Sequence, residues 1–196
     1  MEAHVQDHHA GHEHHEMPTS GAALNAMALS ATLHCLTGCA LGEIAGMILG
    51  TALGWSDWGT VAAAVVLAFL FGYALTSWPL LRAGLAFGAV VPIALASDTI
   101  SIGVMELVDN AVIVVIPGAL EAGLGDVLFW GSLAFALPVA GMAALPVNRW
   151  MLKRGKGHCA VHETGIHGGP SPRTVGIVAA AALVFGTIVL IAQALG

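Results

Sequence analysis

Leu33-His34-Cys35-Leu36-Thr37-Gly38-Cys39-Ala40-Leu41-Gly42-Glu43 is the stretch that decides what kind of protein this is. It lies inside an apolar run from about residue 24 to residue 54, long enough to cross a bilayer as a helix. On a helix, positions four apart share a face. One stripe is then Cys35, Cys39, Glu43, Met47 and Thr51; its neighbour is His34, Gly38, Gly42, Gly46, Gly50 and Gly54. The first aligns soft sulfur donors with a carboxylate. The second lets another helix approach closely. Polar side chains in lipid are costly and mark sites or pathways, so this helix is the first functional candidate.

Composition agrees. Hydrophobic residues make up 57% of the 196 and charged residues 9%, with a mean hydropathy of +0.84. The expectation is an all-α, polytopic helical membrane protein, because the apolar runs are continuous where a membrane barrel would alternate. The net charge of −6 comes from an acidic, His-rich tail and a few embedded carboxylates. Six basic residues form no phosphate-binding surface, which argues against nucleic acid as a partner. The first two dozen residues show no basic segment followed by an apolar core, so no secretory signal is read there.

Residues 1–22 read as a disordered, His-rich tail, and 23–196 as one membrane domain of about five transmembrane helices. The spans fall at about 24–54, 60–78 (stopping at Pro79), 84–117, 127–147 (bent at Pro138 and Pro146) and 174–195. Trp55-Ser56-Asp57-Trp58-Gly59 reads as a tight interfacial loop, and 149–173 as a polar, basic loop rich in His and Gly. With five spans, Arg82, Arg149, Lys153, Arg154, Lys156 and Arg173 all share the face of the N-terminus. The positive-inside rule makes that face cytoplasmic and places the C-terminus outside. The tail and the loop histidines, with His158, Cys159, His162 and His167, then meet on the cytoplasmic side.

The third span carries Asp98, Glu106 and Asp109, with Asp98, Met105 and Asp109 nearly on one line and Ser101 flanking it. Three carboxylates on one side of a lipid-embedded helix cannot all be charged without cations or water. The bland alternative is local capping or pairing with Ser97, Asn110 or Arg82. Counted inward at ~1.5 Å per residue, Glu43 and Glu106 both reach mid-bilayer. His34, Cys35 and Asp98 lie towards the cytoplasmic boundary. Matching depths on two spans favour one shared site.

Thiolates suit Cu(I) or Zn(II), and a nearby methionine favours Cu(I). The candidate metal ligands are His34, Cys35, Cys39, Glu43, Asp98, Met105, Glu106 and Asp109. His34 points about 100° away from Cys35, so one ion need not use all of them. The alternative reading treats the cysteines as small buried hydrophobes and the tail histidines as a solvated acidic segment. No Walker loop, nucleotide fingerprint, G-x-S-x-G elbow or H-E-x-x-H occurs, which argues against ATP-driven transport and standard hydrolases.

The string from Thr32 to Glu43 resembles the signature of a family of small bacterial membrane proteins known only as a domain of unknown function, number 4396. Met105-Glu106-Leu107-Val108-Asp109-Asn110 is similar to a later block of that family, as are Asn148-Arg149-Trp150 and Gly155-Lys156-Gly157-His158. The resemblance spans about residues 24–196. It implies a membrane protein and supplies no substrate.

The leading expectation is therefore binding and transport of a soft transition-metal ion, copper before zinc, with proton-linked carboxylates. Cys35, Cys39 and His34 would capture the ion, Glu43, Glu106 and Asp109 would form the mid-membrane step, and Asp98 would gate. A homo-oligomer joined through the glycine stripe would enclose the path. Two rivals stand beside it: a thiol oxidoreductase using the cysteine pair, which would be an enzyme, and a proton-linked carrier of a small non-metal solute.

Overall fold

The computed structural model describes residues 21–157, 161 and 172–195; the His-rich tail and the loop residues His158, Cys159, His162 and His167 lie outside the described residues. Five long helices follow one another: α1 (Gly21–Leu53), α2 (Asp57–Arg82), α3 (Phe87–Val115), α4 (Val127–Lys153) and α5 (Pro172–Leu195). No strand occurs among the described residues. α1 to α4 are each long and apolar enough to cross a membrane. The chain is a multi-pass, all-helical membrane protein.

Local chemistry sets the helix ends. α1 stops where Gly54 takes φ 65°, a left-handed backbone that a glycine adopts without steric cost. Ser56 then caps α2, its hydroxyl accepting from the Gly59 amide at 3.3 Å. Gly84, at φ 91°, turns the chain between α2 and α3. Pro79 does not stop α2, which continues to Arg82, and α4 runs through Pro138 and Pro146, where bends are expected, on to Lys153. A proline removes one backbone donor, and neighbouring helices in a bundle compensate for that single loss. α3 is likewise continuous through Ser97, Asp98 and Thr99. There Ser97 and Thr99 return their hydroxyls to carbonyls of their own helix.

The glycine stripe decides the packing of α1. A Cβ at Gly38 would stand 2.8 Å from the backbone of Gly72, and one at Gly46 2.5 Å from that of Ala64. At Gly42 it would run into Ala68, and at Gly50 into Thr60. The stripe is thus filled by α2 of the same chain. This corrects the expectation that it joins two copies: a surface used within the protomer is not free to hold another. Small residues are needed because only they bring two backbones close enough for dispersion to accumulate where lipid removes the hydrophobic drive.

α3 lies against α4 and α2, and α4 also against α1 and α5. At one end Leu24, Ala28 and Leu152 pack together; at the other, Ile44 and Met47 meet Ala122, Phe129 and Leu133. Between them lies a core of Cys35, Cys39, Ala68, Ile102, Met105, Ala140 and Ala144. Large side chains such as Val66, Leu70, Leu107 and Val115 remain exposed around the bundle, as a lipid-facing surface requires. Trp55, Trp58 and Trp130 are exposed at the loop end. At the other end Trp78 and Trp150 carry Arg82 and Arg154 over their rings, at 5.0 and 4.2 Å.

Candidate functional site

The buried face of α3 repeats at helical spacing through Val90, Ala94, Asp98, Ser101, Met105 and Asp109, with Ser97, Ile102 and Glu106 beside them. It faces the cysteine stripe of α1. Asp98, Met105 and Asp109 are all at most 1% exposed, and Glu106 is 5% exposed. These polar groups come together at two levels.

The first level is hydrogen-bonded. The Cys35 thiol donates to Asp98 Oδ1 at 3.7 Å, and the Thr76 hydroxyl of α2 also hydrogen-bonds Asp98. Thr76 also meets His34 Nε2 at 2.7 Å. Asn148 of α4 donates from Nδ2 to both Thr32 Oγ1 and Ser101 Oγ, each at 2.9 Å. Thr32 in turn donates to the Ala28 carbonyl at 2.8 Å. All four core helices contribute, so this level ties the bundle together.

The second level is about one to two helical turns further along α1 and α3. Cys39 sits beside Glu106, and Glu43 is within electrostatic reach of both Glu106 and Asp109. Among the described residues, no hydrogen bond reaches either carboxyl oxygen of Glu106 or Asp109, or Oε1 of Glu43. Asn110, the expected local partner, spends its amide on the Glu106 backbone carbonyl at 2.9 Å. Arg82, the other candidate partner, is stacked on Trp78. A bare carboxylate charge in such a place costs several kcal/mol unless a proton, cation or water accompanies it.

The eight residues expected to bind metal therefore divide. Cys35 with Asp98, and Cys39 with Glu106, face each other across α1 and α3, and Met105 shares one buried core with both thiols. Glu43 and Asp109 join the second level. His34 turns towards α2, as its angular offset from Cys35 demands. Both thiols are reduced and buried. Among the described residues, no three His, Cys, Asp or Glu side chains are gathered closely enough for one metal ion. The sequence reading missed Thr32, Thr76 and Asn148. Asn148 falls just past the expected end of the fourth span, and the two threonines are lone hydroxyls in apolar runs.

Residues 24–157 match the family described as Domain of unknown function (DUF4396). No curated protein and no solved structure matches the chain.

Proposed function

We propose that this chain, which belongs to the DUF4396 family, exchanges a small cation for protons across a membrane. The observation that carries this reading is the second level. Three carboxylates from two spans lie within electrostatic reach of one another there, Asp109 has no hydrogen bond to its carboxylate among the described residues, and the thiol and amide beside Glu106 bring no positive charge. Such a site favours a guest that is positive, whether a proton or an ion, and binding one displaces the other. The basic residues at the Arg82, Arg149 and Lys153 end make that end cytoplasmic by the positive-inside rule. Counting α5 as a fifth span puts the C-terminus outside. The resemblance to small bacterial membrane proteins makes the membrane the bacterial cytoplasmic one.

The test is purified protein in liposomes holding a pH-reporting dye, challenged with Na⁺, K⁺, Zn(II) or Cu(I) one at a time. At least one cation should drive proton movement that Glu106→Gln abolishes. Equal dye responses in wild type and Glu106→Gln for every cation would overturn the reading.

A narrower reading makes the cation a soft metal, Cu(I) before Zn(II). What favours it is sulfur: Cys35, Cys39 and Met105 lie in one buried core, and Cu(I) accepts two or three soft donors. Elemental analysis of protein purified without an immobilised-metal column tests it. Retained metal should vanish in Cys35→Ser/Cys39→Ser, whereas a metal-free wild type after Cu(I) and Zn(II) incubation rejects it.

A further inference from the structure

The stripe Cys35, Cys39, Glu43, Met47 and Thr51 does not end in the core. At its far end Met47 and Thr51 line a cavity of about 260 Å³ that also takes in Trp55, Asp57, Thr60 and Glu121. Next to it is a smaller space of about 30 Å³, with Glu43 and Asn110 on its wall. Met47, Thr60, Val61 and Leu120 line both spaces, so the two adjoin. Together they make a funnel from the Trp55–Gly59 loop face down to Glu43, with Asp109, 1% exposed and without a hydrogen bond to its carboxylate among the described residues, beyond it.

We propose that this funnel is the port through which a small cation reaches Glu43 from the loop face. The inference rests on the exchange reading above and adds where the cation enters and how it is selected. Asp57 and Glu121 put negative charge on the wide part, and no Lys or Arg is among the residues lining either space. Acidic walls of low dielectric raise the local concentration of cations and repel anions. The narrower part is lined by Glu43 and Asn110, whose oxygens can replace water in the shell of a small cation, which a large or strongly hydrated ion accepts poorly. Met47, flexible and polarisable, and Thr60 form the neck where passage is decided.

The experiment is thiol labelling of the full chain in liposomes, with Cys159→Ser to remove one unrelated thiol. Thr60→Cys and Val61→Cys are made separately, so that a folding fault in one leaves the other. Each is treated with a cationic and an anionic methanethiosulfonate reagent, with rates scaled to a free thiol in solution. Above the parent background, both positions should react about tenfold faster with the cationic reagent, and Asp57→Asn/Glu121→Gln should erase the preference. No labelling at either position, or equal scaled rates, overturns the port. Labelling is read independently of transport. Lost preference with cation-driven proton movement intact overturns the port alone. A cation preference without any proton movement supports the port and overturns the exchange reading.

Discussion

The two polar levels of the bundle use similar residues to opposite ends. Around Cys35 and Asp98, side chains from four helices satisfy one another through Thr76, Ser101, Thr32 and Asn148. Around Cys39 and Glu106 there is again a thiol facing an acid, but the further neighbours are acids, Glu43 and Asp109, and Asp109 has no hydrogen bond to its carboxylate among the described residues. A satisfied network in lipid fixes helix positions. An unsatisfied one keeps a place for something that arrives. The difference lies in the third partner: at the first level α2 offers the Thr76 hydroxyl to Asp98, and at the second α1 offers another carboxylate, Glu43.

That contrast can be broken by substitution. The largest effect is expected from Glu106→Gln, which should lower cation-driven proton movement by at least ~10²-fold, the scale of a positioned proton-transfer group. The bundle's stability should hold or rise, because an uncompensated acid has gone; a large loss of stability instead would mean that Glu106 is part of the scaffold. Gly42→Val comes next. Its side chain would enter the Ala68 backbone, and it should destabilise the protein in detergent by about 2–3 kcal/mol while damaging both levels together. Loss of only one level would show that the α1–α2 seam does not hold them in common.

Asn148→Ala sharpens the first level. It leaves the Thr32 and Ser101 hydroxyls without their donor, at a cost of about 1–2 kcal/mol, read by unfolding in mixed micelles, with proton movement reduced far less than by Glu106→Gln. The smallest effect belongs to Met105→Leu, a swap of similar volume that should cost under ~1.5 kcal/mol. It should leave proton movement driven by a hard cation unchanged. Copper retention should fall if sulfur is what holds the ion, and unchanged copper would remove Met105 from the ligand set.

Much of the site was legible beforehand because lipid makes polar residues conspicuous. Asp98, Glu106 and Asp109 announced a face of α3, and the i, i+4 spacing of Cys35, Cys39 and Glu43 announced one of α1. The shared depth of Cys35 and Asp98, and of Glu43 and Glu106, was also readable, since α1 and α3 run parallel and rise equally per residue; the facing of Cys39 and Glu106 was not. Thr32, Thr76 and Asn148 were not readable: a lone hydroxyl or amide gains meaning only from what stands opposite it. Nor was the use of the glycine stripe. Spacing shows that a helix will approach, without saying whether that helix belongs to the same chain.

The sequence by itself determined the membrane class, the helices, their polar faces and the segregation of basic residues to one end, because each follows from local periodicity and from the cost of polar groups in hydrocarbon. It took the packed bundle to show that α2 fills the glycine stripe, that Thr76 and Asn148 knit the first polar level while further acids surround Cys39 and Glu106, and that Glu43 lines a space next to the Trp55 cavity. Those outcomes depend on which side chains from distant segments stand within a few ångströms of each other, and packing alone fixes that.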